Sequence, residues 1–285
     1  MTDTVEAAHG MRPGPGARLV SGVLGFWTHG RRVERVCYVV GGLLLLSGLL
    51  HLGVFAVDGG PWEGPVSWRK PVTFGLSFGL TLITIAWVAS FVPLGERARR
   101  VLLGVFAGAC VVEVALITLQ GWRRVPSHFN METGFDTAVS RVLAAGGAVL
   151  IVTLVWLTTA AFRRDGRDGR DGRDGWGAPS MRLAVRAGLA ALMVALATGA
   201  AMIARGVVQV TTGHQETAYH VAGALKPAHA VTMHAVLVLP ALAWLLTFTR
   251  LPEARRVRAV ALTTGLYAAV AVVVTAWSLV AFVTA

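Results

Sequence analysis

Apolar residues run along this chain in long blocks, separated by short polar links, and neither the two-residue alternation of a strand nor a soluble helix's narrow apolar stripe dominates. Seven blocks, near 36–57, 73–94, 101–121, 138–162, 184–205, 229–249 and 259–284, reach the length a helix needs to cross hydrocarbon. That need is about 20 residues for ~30 Å at 1.5 Å per residue. The pattern predicts an all-α fold: an integral membrane bundle of seven transmembrane helices over residues 36–285. Residues 1–35, rich in Gly, Pro and Ala around scattered arginines, read as a disordered basic tail. Residues 163–182 contain four copies of Arg-Asp-Gly and read as a flexible linker.

Punctuation refines the elements. Pro71 and Pro227 fall in the first turn of the second and sixth spans, where a missing N–H costs nothing, and a lysine precedes each: Lys70 and Lys226. The paired signals raise a three-one-three parallel repeat, the arithmetic of sugar transporters of the SWEET type. Gly75 and Gly79 form a small-xxx-small face suited to close helix approach. Asp136 is expected to cap the fourth span.

Composition agrees with lipid as the solvent, since 55% of residues are hydrophobic and 14% charged, against about 25% charged in soluble domains. The formal charge of +11 reads as topology: nineteen of the 26 Lys and Arg fall on one side of the alternating spans. By the positive-inside rule that side is cytoplasmic, which places the N-terminus inside and the C-terminus outside. No basic groove with interleaved aromatics suggests a nucleic-acid partner. The two cysteines, Cys37 and Cys110, both fall inside spans and suggest neither a disulfide framework nor a thiolate site.

Ionisable residues inside spans are costly and mark function. His51, Glu113 and His234 lie on three different spans at one depth, about 8–12 Å below the outer ends at 1.5 Å per residue. Two imidazoles and a carboxylate form a ligand set for a transition metal, and two imidazoles alone can ligate a single haem. Gln120, seven residues after Glu113, continues the same face toward the loop GWRRVPSHFNMETGFD, residues 121–136. Trp122, Arg123 and Arg124 suit the headgroup level, whereas Ser127, His128, Asn130 and Thr133 have no such role and suggest a lid over a site. Arg205, His214, Lys226 and His229 complete the polar groups expected on the outer side, with His229 turned to the outer surface.

The stretches WRKPVTFGLSFGL, GWRRVPSHFN and KPAHAVTMHAVLVLPALAWLL resemble segments of uncharacterised multi-spanning membrane proteins of high-GC bacteria. The resemblance covers most spans and implies a bacterial inner membrane, without implying an activity. Three functional expectations stand side by side. The first is a metal or haem site at His51, Glu113 and His234. The second is a transporter or binding protein for a small, anionic solute, with Glu113 coupling or pairing and Arg69, Lys70, Arg123, Arg124, Arg205 and Lys226 attracting the ligand. The third is an enzyme using His128 as acid or base, although no nucleophile motif and no HExxH accompany it. The lipid bilayer is the certain partner under all three, and oligomers are compatible with each.

Overall fold

A computed structural model describes residues 14–163, 177–214, 217 and 223–284 of the chain. Among the described residues there are eight helices and no strand. They are α1 (Pro15–Thr28), α2 (Arg32–Asp58), α3 (Arg69–Ser90), α4 (Glu96–Trp122), α5 (Gly134–Phe162), α6 (Pro179–Thr211), α7 (Lys226–Leu246) and α8 (Glu253–Thr284). Helices α2 to α8 are the seven expected spans, each long and apolar enough to cross a membrane. The end of the bundle holding the links 59–68 and 123–133, with residues 212–214 and 223–225, is termed the loop end, and the opposite one the arginine end.

Most helices outrun their apolar blocks because polar residues hold the first turns. At α2 the Arg31 N–H donates to Glu34 Oε2 at 2.8 Å. At α5 the N-cap is Thr133, not Asp136: Asp136 N donates to Thr133 Oγ1 at 3.1 Å, and the Thr133 hydroxyl donates to Asp136 Oδ2 at 2.6 Å. Thr133 thus caps the Asp136 N–H, and Asp136, three residues inside, accepts from the Thr133 hydroxyl where a full capping box would use the Thr133 N–H. The expected 73–94 span is shifted: α3 begins at Arg69 and ends at Ser90, where Phe91 and Val92 turn back to Val88 and Ala89 and Pro93 has no N–H to continue. The expected disordered tail is helical over Pro15–Thr28, because that helix has something to pack on. Its Phe26 ring lies 5.6 Å from the Trp87 ring and 5.4 Å from the Trp244 ring. The Arg-Asp-Gly repeats fall in 164–176, outside the described residues, and the last part of the expected linker already belongs to α6.

The tightest helix crossing is α2 on α3. A Cβ placed on Gly75 would stand 2.7 Å from Gly48 Cα, and one on Gly79 would stand 2.7 Å from Leu45 N, so the helices meet backbone to backbone. At the arginine end Arg99, 2% exposed, pairs with Glu34 at 3.3 Å, and its guanidinium donates to Ala89 O and Val92 O. One side chain therefore closes the carbonyl end of α3 and ties it to α2 and α4.

The second half repeats this plan, as the lysine-proline pairs suggest. In α2–α4 and again in α6–α8, the first two helices pack most closely, the second and third next, and the first and third least. The buried faces match in spacing: Glu34, Cys37, Gly41, Gly48 and His51 on α2 correspond to Met181, Ala184, Gly188, Ala195 and Thr198 on α6. Gly41 abuts Gly79 and Ile83 of α3, and Gly188 abuts Ala235 and Val236 of α7. Ser90 Oγ donates to Trp87 O, as Thr247 Oγ1 does to Trp244 O, both at 2.6 Å. Arg99 reaches seven residues back to Val92 O at 3.0 Å, and Arg256 reaches seven back to Thr249 O at 3.2 Å. Glu96 takes the Arg31 guanidinium at 2.6 Å, while Glu253 takes the Ser180 N–H at 2.8 Å. Two three-helix units of the same sense thus flank α5, and Phe26 of α1 lies against the equivalent Trp87 and Trp244.

Candidate functional site

The loop between α4 and α5 is held at both ends by ionic hydrogen bonds. Asp136, 2% exposed, accepts from Gln120 Nε2 at 2.9 Å and from the Arg123 guanidinium, which also donates to Gln120 Oε1 at 2.5 Å. Arg123 lies over the Phe135 ring at 4.7 Å. Arg124 has a left-handed backbone (φ 57°), a strained state for a residue with a Cβ. Its guanidinium donates to Asp58 Oδ2 at 2.6 Å and covers the Trp68 ring at 5.4 Å. Gln120, Arg123 and Arg124 are therefore engaged in fastening the loop.

Between these fastenings the chain folds back into the bundle. Phe129 is the other non-glycine residue with positive φ (61°) among the described residues, and its ring fills the place a side chain on Gly206 of α6 would need. Asn130 is fully buried: its Oδ1 accepts from Glu132 N at 3.0 Å and its carbonyl accepts from Ser140 Oγ at 3.0 Å. Its Nδ2 finds no acceptor among the described residues. Ser127 Oγ and His128 Nδ1 share a hydrogen bond of 2.9 Å, and the imidazole lies 5.8 Å from the Phe74 ring of α3. Burial, then the nearby charge of Lys70, pull the His128 pKa down to about 4, so the ring is neutral near pH 7. Strained backbone at two positions and an orphaned buried donor mark a loop set by tertiary demands.

Beneath this loop the first turns of α3 and α7 meet. Lys70, half-buried, lies within electrostatic reach of His128, Arg69 and Lys226. Arg69 is paired with Glu63 at 2.8 Å, but among the described residues no carboxylate comes within ion-pair distance of Lys70 or Lys226. The two lysines are equivalent residues of the two three-helix units, each in the first turn of its helix; Lys226 is exposed, and the neutral His128 imidazole lies within electrostatic reach of Lys70. Gly121 lets α4 approach the first turn of α3, since a Cβ there would stand 2.8 Å from Pro71 Cγ.

The expected metal set is not gathered in this way. His51 is buried, and both ring nitrogens are used: Nδ1 faces Ser47 O at 2.7 Å, so it must carry the proton, and Nε2 accepts from Trp122 Nε1 at 3.1 Å. Trp68 packs beside them, 5.1 Å from Trp122 and 6.0 Å from His51, and donates to Asp58 Oδ2 at 2.8 Å. His234 is exposed on α7 and donates Nδ1–H to Ala230 O at 2.6 Å. Glu113 is buried and faces Gly146 of α5. Among the described residues no three His, Cys, Asp or Glu side chains come together as a metal site. Depth counted along the spans suggested one layer, but His51 lies at the level of Trp122, Glu113 lies deeper on α4, and His234 is turned to the exposed face of α7.

His229 faces inward, against the expectation of an outer surface, and donates to Ala195 O of α6 at 2.8 Å beside Gly199. Arg205 is tied to α8, donating to Phe282 O with its guanidinium 4.4 Å over the Phe282 ring. His214 is exposed next to Thr212 at 3.2 Å. Sequence reasoning missed Asp58 and Trp68, and it singled out Thr133 without its capping role, for which the Thr-x-x-Asp pattern at 133–136 was the available signal. No protein-family model, curated protein or solved structure matches the chain.

Proposed function

We propose that the protein is a multi-pass membrane protein that binds a small anionic solute at the loop end, between its two three-helix units, and belongs to the transporter class. One observation carries the reading: Lys70 and Lys226, equivalent in the two units, lie within electrostatic reach of each other without an acidic partner among the described residues. Two ammonium groups within such reach repel each other, and an anion between them converts that cost into attraction. The neutral His128 imidazole and the orphaned Asn130 Nδ2 supply further polar groups in the loop that folds over this end. Parallel repeats with a site between them are a recurrent transporter plan. The excess of arginines at the opposite end supports placing the loop end outside, on the positive-inside rule, in a bacterial inner membrane.

The test is thermal unfolding of the full chain in detergent with phosphate, sulfate, acetate and succinate at constant ionic strength. At least one anion is expected to raise Tm in a saturable way, and Lys70→Gln/Lys226→Gln is expected to lose that response while itself unfolding no earlier. A double variant that keeps the full anion response would overturn the assignment. Uptake of the responding anion into proteoliposomes then separates transport from binding alone.

A further inference from the structure

Glu113 sits near the middle of α4, 3% exposed, and its Oε1 has no hydrogen-bond partner among the described residues. It belongs to neither repeated pattern: the residue at the corresponding place on α8 is the exposed Val270. It faces α5, the helix outside both units. A Cβ on Gly146 would overlap Glu113 Oε1 closer than real Cβ contacts allow, so the glycine is the recess that holds the carboxyl.

The recess is closed above and below. Toward the loop end, Ile117, Val139 and Leu143 form a buried apolar layer with Phe74 and Leu116 packed on it, separating Glu113 from Gln120 and Asp136. Four residues along α4 are ~6 Å of rise, so one full apolar layer intervenes. Toward the arginine end, Cys110, Phe106 and Leu103 belong to the main core. The elements packed on α4 are α2, α3 and α5. Cys110 on α4 itself, one turn away, is the ionisable neighbour nearest in depth; on α2, Cys37 lies toward the arginine end, bonded to Leu103 O, and His51 near the loop end. No ionisable side chain occurs in α3 between Pro71 and Ser90, or in α5 between Val142 and Phe162. Lys70, Arg141 and Asp136 lie toward the loop end.

An ionised carboxylate without a cation or water in such a place costs several kcal/mol, so the packed arrangement is that of the neutral acid. Losing the proton requires that water reach the carboxyl, and the route lies through the seam where it meets Gly146. We propose that Glu113 is a proton-binding site whose release of a proton is tied to opening of the α4–α5 seam at Gly146. The proton leaves to water as the O–H bond breaks, the carboxylate keeps the electron pair, and reclosure restores the acid. This rests on observations separate from those for the anion site and stands or falls without it.

Two measurements on the full chain in nanodiscs test it. Infrared difference spectra are expected to show a carboxylic-acid C=O band at acid pH that is absent from Glu113→Gln and fades as pH rises. A Glu113-dependent band that is missing at every pH, or constant through alkaline pH, overturns the proposal. Cys110, one turn from Glu113 and fully buried, reports the seam once Cys37→Ser leaves it as the sole thiol. Maleimide labelling of Cys110 rises with pH through the thiolate alone; in the chain retaining Glu113 the rise is expected to be several-fold steeper than in Glu113→Gln. Equal slopes in the two proteins overturn the coupling to seam opening.

Discussion

Gly75→Ala places one methyl group where α3 crosses α2. Its Cβ would stand 2.7 Å from both Gly48 Cα and Gly48 N and 3.0 Å from Leu44 O. Ordinary carbon contacts lie at about 3.5–4.0 Å, so roughly 1 Å must be found, and the obstructing atoms are backbone that no rotamer change can remove. The helices must part along the crossing, which loosens the Gly41–Gly79 contact two turns away as well. Overpacking of this kind costs about 1–3 kcal/mol, against roughly 0.5–1 kcal/mol gained from replacing a helical glycine by alanine. Gly42→Ala is the internal control, since nothing lies within 4 Å of a Cβ there and only the helix-propensity gain applies. The assay is reversible unfolding in mixed micelles with increasing SDS. Gly75→Ala should unfold at lower SDS than the parent and Gly42→Ala at equal or higher SDS. In Gly48→Ala/Gly75→Ala the costs should sum to less than the two singles, because the first methyl has already parted the helices. A Gly75→Ala protein as stable as Gly42→Ala would refute the backbone-to-backbone crossing.

Arg99→Ala strips two α3 carbonyls of their donor and removes a buried partner of Glu34, with an expected loss of about 3–5 kcal/mol in the same unfolding assay. Its counterpart Arg256→Ala should cost clearly less, because that side chain is 21% exposed against 2% for Arg99. His128 has a folded pKa near 4 against an ordinary 6.5, so the unfolded chain binds the extra proton between those values. Its stabilising contribution is complete above about pH 6.5 and is lost as pH falls toward 4; unfolding measured across that window should be less pH-sensitive in His128→Gln. In His51→Phe the Trp122 indole N–H loses its acceptor, and its resonance in a ¹⁵N-indole spectrum should move while that of Trp87, at the other end, stays in place.

The seven spans were legible from sequence because crossing hydrocarbon is a one-dimensional condition, a run of apolar residues at a fixed rise per residue, and α2 to α8 satisfy it. Their ends were less legible. Arg31 with Glu34 and Thr133 with Asp136 start helices through local hydrogen bonds that hydropathy does not register. The repeat left more trace than the lysine-proline pairs, since Ala-Trp recurs at 86–87 and 243–244, in the register that matches Glu96 with Glu253 and Arg99 with Arg256. Packing was needed to show that Trp87 and Trp244 both meet Phe26, and that Lys70 and Lys226 come within electrostatic reach of each other.

Depth could be counted along the chain only roughly, and it assigned His51, Glu113 and His234 to one layer; in the fold His51 stands beside Trp122 at the loop end while Glu113 lies deeper on α4, and direction around each helix axis could not be counted at all. Tertiary packing turned His51 to Trp122, Glu113 to Gly146 and His234 to the exposed surface. The same packing drew together Lys70, Lys226 and His128, which the sequence holds far apart on two helices and a loop. The sequence by itself determined how many long apolar helices there are and where charge is tolerated, because both follow from local solvation. Which polar groups face one another was decided by close helix crossings at glycines, where contacts between distant segments set the rotation of every helix.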